Sequence, residues 1–144
     1  MTKVVINAQY GGFSLSRDGM QRYCEIKNIP CWIEDDKQFK TMGIFTVWLT
    51  PPEERIELKE GEEFYKMPIE DRQAYNQQYA DQTLCHYKIA RDDPALVQLV
   101  EEDAEKYEGK HATLKVVEIP DDVKWEIAEY DGNEWVAEVH RTWS

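Results

Sequence analysis

The segment Tyr10-Gly11-Gly12-Phe13-Ser14-Leu15-Ser16 follows the apolar run Val4-Val5-Ile6 and precedes a helical pattern from Arg17 to about Lys27. Two adjacent glycines allow positive φ and a close approach of backbone to ligand. Backbone N–H groups converge where such a turn opens a helix, and phosphates bind at such places. The segment is neither G-x-x-x-x-G-K-[ST] nor G-x-G-x-x-G, so it reads equally as a tight connection whose glycines serve the turn alone. In the binding reading, Tyr10, Gly11, Gly12, Phe13, Ser14 and Ser16 surround an anionic ligand of nucleotide type. Arg17, Arg91 and Arg141 supply the positive charge.

A second constellation is Glu138, His140 and Arg141 on the final strand pattern. Glu138 and His140 are two residues apart and share a strand face, so the carboxylate raises the imidazole pKa and the pair can do acid–base work on a phosphoester. The plainer reading is an exposed ion pair of at most about 1 kcal/mol. No nucleophile motif accompanies it, and the chain reads as a binder more readily than as an enzyme. His86, His111 and His140 lie far apart and no C-x-x-C or H-x-x-x-H is present, so neither a metal nor another cofactor is expected.

These groups need elements to hold them. Ser16 fits an N-cap, with Leu15 and Met20 placed for a hydrophobic staple. Lys3 to about Gln9, Cys31–Ile33, Ile44–Leu49, Thr83–Ile89 and Leu114–Ile119 read as strands, with a weaker one at Arg55–Leu58. Pro68 opens a helix to about Tyr79, with Tyr75 and Tyr79 on one face. Asp93-Pro94 caps the best helix, which Val97, Val100, Ala104 and Tyr107 stripe and Gly109 ends in a left-handed residue. Asp131-Gly132 marks a type I′ hairpin between Val123–Tyr130 and Asn133–Trp143, with Tyr130 opposite Asn133. Its alternation leaves large apolar groups on both faces, Trp135 and Trp143 among them, which predicts a homo-oligomer formed through this hairpin. The expected fold is a single α/β (α+β) domain over residues 1–144. It has a mostly antiparallel mixed sheet of five to seven strands, two or three helices and a variable, insert-like region at about 30–80.

The 144 residues carry a net charge of −12, unevenly spread. Residues 1–50 hold six Lys/Arg against five Asp/Glu, whereas residues 51–144 hold eleven against twenty-four. That balance disfavours direct contact with nucleic acid and allows a negative face for a basic host protein. No membrane span or secretory leader is apparent, and the three cysteines (Cys24, Cys31 and Cys85) read as free thiols of a cytoplasmic protein.

Several blocks are similar to a widespread family of small tailed-phage and prophage proteins. They are Val4-Val5-Ile6-Asn7 with Tyr10–Ser16, then Arg91-Asp92-Asp93-Pro94-Ala95-Leu96-Val97, then Glu118–Ile127 running on through Tyr130-Asp131-Gly132-Asn133-Glu134 to His140-Arg141-Thr142-Trp143. The last block is the most specific, and the likeness is poor over residues 30–80. Gly19 stands in the first helical turn where Ala is expected. The resemblance implies a viral accessory context in the host cytoplasm and carries no activity with it. Within that context the leading expectation is a non-catalytic protein that sequesters a phosphate-bearing nucleotide to counter host defence or retune host metabolism. The alternatives are an acidic inhibitor of a host defence protein, acting through Glu101, Glu102, Asp103 and Glu105, and a hydrolase using Glu138 and His140.

Overall fold

The computed structural model describes residues 1–35, 44–59 and 61–139. The chain runs β1 (Thr2–Asn7), α1 (Arg17–Lys27), β2 (Trp32–Asp35), β3 (Phe45–Trp48), α2 (Glu62–Tyr65), α3 (Ile69–Gln82), β4 (Thr83–Leu84), α4 (Pro94–Tyr107), β5 (Leu114–Ile119), β6 (Trp125–Tyr130) and β7 (Asn133–Glu138). Short 3-10 turns lie at Pro52–Glu54 and His86–Lys88. The class is α+β, and its seven strands form three antiparallel sheets: β1-β5, β2-β3-β4 and the C-terminal hairpin β6-β7. Two compact units divide the chain, Met1–Asn28 with His86–Ser144, and Ile29–Cys85.

In the first unit β1 is buried from Val4 to Asn7, with Val4 and Val5 at 0% exposure, and β5 pairs with it from Thr2 opposite Ile119 to Asn7 opposite Leu114. Helix α4 packs on this pair and on α1. Its Leu96 and Leu99 are fully buried, as are Val4 and Val5 of β1 and Cys24 of α1. Each fully buried Leu contributes roughly 1.5–3 kcal/mol by removal from water. No cysteine is in a disulfide: Cys24 is buried, and Cys31 and Cys85 of the other unit are half-buried.

Caps explain where the helices begin and end. Ser16 is extended and accepts the Gly19 N–H at 3.0 Å, which starts α1. Asn28 ends it in the left-handed region at φ 56°, a conformation asparagine tolerates, just before Ile29-Pro30. Asp93 accepts the Ala95 N–H at 2.9 Å and Pro94 takes the first position of α4. Inside α4 Asp103 leaves helical geometry, and its Oδ1 accepts the Lys106 N–H at 3.3 Å, so it caps a redirected last turn.

Three local expectations are corrected. Gly109 is not the left-handed end of α4: Glu108 closes the helix in an extended conformation, and positive φ occurs at other glycines. What requires glycine at 109 is the passage of Ser14, whose side chain an added Cβ would overlap while the Gly109 N–H donates to Ser14 O at 2.9 Å. The strand expected over Thr83–Ile89 stops at Leu84, because β3 offers it partners only at Val47 and Trp48. Arg55–Leu58 forms no strand, because side chains take its place in the ladder. The Ile56 N–H goes to Gln82 Oε1 at 3.0 Å, and Arg55 Nε to Thr50 O at 3.0 Å.

In the second unit Trp48, 4% exposed, is the anchor. The Tyr79 ring meets its edge at 5.7 Å and the Arg55 guanidinium stacks on it at 4.6 Å. Arg55 Nη1 pairs with Glu34 at 2.7 Å.

Candidate functional site

The turn from Tyr10 to Ser16 comes together with Arg91 and the hairpin tip. Arg91 holds Glu134 in a bidentate pair, Nη1 to Oε1 at 2.6 Å and Nη2 to Oε2 at 2.9 Å. Its guanidinium lies 3.7 Å over the Phe13 ring, and the His86 ring stands 5.9 Å from Phe13 on the same unit. Glu134 Oε1 also accepts the Asn7 N–H at 2.8 Å. Asn7 is wholly buried and its amide is spent inside the unit. Nδ2 donates to Gln9 O and Gly132 O, both at 2.8 Å, and Oδ1 accepts the Thr113 N–H at 2.9 Å.

The glycines have a packing reason. Gly132, at φ 86°, has no room for a side chain, since a Cβ there would overlap the backbone nitrogens of Gly11 and Gly12. Gly11 takes φ 121° with His111 O only 2.8 Å from where its Cβ would stand. Its N–H donates to Asp131 O at 3.3 Å. The hairpin tip therefore closes against the Gly11 and Gly12 nitrogens. Asp131 and Gly132 both have positive φ, as a type I′ turn requires, and Tyr130 pairs with Asn133.

Ser16 is engaged in the same manner. Its N–H donates to Tyr107 O at 2.9 Å, and its Oγ donates to Lys106 O at 2.9 Å while accepting from Gly19. The carbonyl end of α4 thus faces the amide end of α1, an arrangement favourable to both helix dipoles. Gly19 is the residue that permits it, because a Cβ would overlap the Tyr107 carbonyl. Tyr10 is 61% exposed, with its ring edge-on to Tyr130 at 6.5 Å. Arg17 is exposed on the first turn of α1, and Ser14 is half-buried. Arg22 is paired bidentately with Glu102, at 2.8 Å to each oxygen, which holds that carboxyl below the usual range.

Glu138 is exposed and pairs across the hairpin with Trp125. His140 and Arg141, the other members of the proposed acid–base group, and Trp143 lie outside the described residues. Among the described hairpin residues Tyr130, Trp135 and Val139 are exposed. Two residues central to the cluster carry no motif, Asn7 and Glu134. A sequence signal for the second exists: alternation puts Glu134 on the face of Ile127 and Val136, and an acid on an apolar hairpin face needs a cation.

Two electrostatic shifts stand out. Burial, and then the positive charge of Arg91, push the His86 imidazole down from its ordinary value. Burial alone would raise the Asp93 carboxyl. It is outweighed by hydrogen bonds from Tyr23 OH at 2.7 Å, Ala95 N at 2.9 Å and Lys27 Nζ at 3.1 Å, and the net shift is downward.

Elsewhere on the first unit, a groove of about 600 Å³ runs between the start of β1 and α4. Pro94 and Val97 line it together with Lys3, Asp92, Glu101 and Glu102. Lys3 Nζ pairs with Glu101 at 3.0 Å, which raises the lysine pKa. The second unit has a smaller groove of about 320 Å³ beside Tyr75, whose hydroxyl accepts the Lys59 N–H at 3.0 Å. Among the described residues no three His, Cys, Asp or Glu side chains gather as a metal site, and no helix is long and apolar enough to cross a membrane.

No protein-family model matches the chain, and no match is found among curated proteins or solved structures.

Proposed function

We propose that this chain is a non-catalytic binding protein that engages a basic partner protein through the acidic face of α4. The observation that carries the reading is the exposed acidic run of α4 beside the groove of about 600 Å³, where Asp92 lies with apolar Pro94 and Val97, Glu101 is paired with Lys3 and Glu102 with Arg22. The exposed face of α4 continues the charge with Asp103 and Glu105. Opposed fields speed encounter and exclude acidic competitors. The viral resemblance suggests a host defence protein as the partner.

Capture of a nucleotide phosphate by the Gly11-Gly12 turn has less support. The Gly11 amide is bonded to Asp131, Gly132 abuts both glycine nitrogens, and Arg91 is committed to Glu134.

The test compares the wild-type chain with a Glu101→Lys/Glu105→Lys variant for retention of a host partner at low and high salt. The variant is expected to lose the partner, and wild-type retention to fall as salt screens the charges. Equal retention by both proteins removes the reading. A thermal-shift panel of nucleotides is expected to be flat, and a saturable stabilisation by any of them would restore the nucleotide reading.

A further inference from the structure

We infer that a second copy of this chain pairs with the free edge of β6, strand against strand about a two-fold axis at Ile127, and joins two hairpins into one four-stranded antiparallel sheet. The inference goes beyond the acidic-face reading and uses no residue of α4.

The Val139 N–H donates to Lys124 O at 2.8 Å, one step past the ladder in which Trp125 faces Glu138 and Tyr130 faces Asn133. Bonded and non-bonded pairs alternate along an antiparallel ladder. Lys124, Glu126, Ala128 and Tyr130 therefore bond β7, and Trp125, Ile127 and Glu129 turn their N–H and C=O groups outward. Among the described residues nothing bonds these outward groups. Strand β7 packs against β1, whereas β6 has β7 as its principal neighbour among the described elements. The edge is six residues long, in unbroken register, and holds no Pro or Gly. An edge of that kind is a template for another strand.

The charges of β6 itself select the occupant and its register. A strand that pairs antiparallel with its own copy makes a closed, isologous contact. With the axis at Ile127, Trp125 meets Glu129 of the second copy, Glu126 meets Ala128 and Lys124 meets Tyr130. Every outward group then gains a partner, and each acid stands opposite an uncharged residue. The Lys124 stem also lies along the Tyr130 ring of the other copy, which is 71% exposed in the single chain. An axis at Glu126 or Glu129 sets that acid against its own copy, which is destabilising. An axis at Trp125 needs the Val123 N–H, which is spent on Pro120 O at 3.3 Å. An axis at Ala128 sets Trp125 against Asp131 of the turn, whose carbonyl accepts the Gly11 N–H. One sequence thus supplies both sides of every pair, in one register.

The experiment measures the mass of the full chain by sedimentation equilibrium across the micromolar range, for the wild type, Ala128→Glu and Ala128→Glu/Glu126→Lys. Amide hydrogen exchange in dilute and concentrated protein shows which residues are protected. Contact through one strand of each copy is small, so the wild type should pass from 17.0 kDa toward twice that mass as concentration rises. Ala128→Glu sets an acid against Glu126 of the second copy at two symmetric places and should weaken the dimer about tenfold. Adding Glu126→Lys makes both pairs opposite in charge and should restore it, which a hairpin unfolded by the first change would not do. Concentration should slow exchange at Trp125, Ile127 and Glu129 and leave Glu126, Ala128 and Tyr130 as they are, since those already bond β7. Because each chain carries −12, salt should strengthen the dimer, the opposite of its effect on a basic partner. A mass of 17.0 kDa at every concentration overturns the inference. So does a dimer of equal strength in all three proteins with exchange at Ile127 unaltered. Either result leaves the acidic-face reading standing.

Discussion

Arg91 and Glu134 form a bidentate ion pair whose side chains are 21% and 8% exposed, and the same Glu134 oxygen caps the Asn7 amide. The pair ties the hairpin to the end of β1. Removing one partner leaves the other charge buried and unpaired. Glu134→Ala is therefore expected to lower unfolding free energy by about 3–5 kcal/mol, and Arg91→Met/Glu134→Leu by less than the sum of the single changes. Urea denaturation measures both; a loss below about 1 kcal/mol for Glu134→Ala would mean the pair behaves as an exposed one.

Gly19→Ala ought to stabilise α1 by about 0.8–1.0 kcal/mol on helix propensity alone. The expected outcome is the reverse, because the new methyl overlaps the Tyr107 carbonyl that bonds Ser16. Overpacking of this kind costs about 1–3 kcal/mol. A rise in melting temperature would contradict the helix-end contact.

Gly132→Ala and Gly12→Ala separate two effects. Both residues have positive φ, at 86° and 93°, but an added Cβ at Gly12 meets nothing within 4 Å, whereas at Gly132 it meets the Gly11 and Gly12 nitrogens. Gly12→Ala should cost only the conformational penalty, about 1–2 kcal/mol. Gly132→Ala should cost clearly more. Equal melting temperatures for the two variants would argue against the close passage of the hairpin tip.

His86 gives the stability a pH dependence of known sign. Its imidazole is held below the ordinary 6.5 by burial and by Arg91. Above that pH it is neutral in both the folded and unfolded chain and contributes nothing. As pH falls below 6.5 the unfolded chain takes up the proton first, so stability declines toward the lower folded value. His86→Gln should flatten that limb of a melting-temperature profile; an identical slope in the variant would exclude His86 as its source.

Much of the local structure was legible because it is decided locally. Ser16, Asp93 and Pro94 carry their caps in residue type, and Asp131-Gly132 dictates both turn and register. The starts of α1 and α4 and the register of β6 on β7 follow from these signals. The missed features are decided by partners distant in sequence. The Gly11-Gly12 pair looks like a ligand cradle until the hairpin tip is seen against it. Gly19 and Gly109 look like a weak helix residue and a helix stop, yet each marks a point where another segment passes closely. Propensity also failed at Arg55–Leu58, where the Gln82 side chain takes up the Ile56 N–H that a strand partner would bond. For the candidate groove, the acidic run of α4 was visible in the sequence, but the groove beside it was not, since only the fold brings Met1–Lys3 alongside α4.

The N-terminal strand depends on residues made much later. The Asn7 amide finds its carboxylate 127 positions downstream, and its side chain accepts from an amide 106 positions downstream. During synthesis at about 5–20 residues per second, β1 therefore waits many seconds without its partners. Closing so long a span is also slow after release. Through that interval Val4-Val5-Ile6 is an apolar, uncharged strand open to pairing with another nascent chain. Lys3 immediately before it supplies a flanking charge of the kind that discourages such pairing. Thus the contacts that bury Val4–Asn7 are also the ones that leave them unprotected until the hairpin has been made.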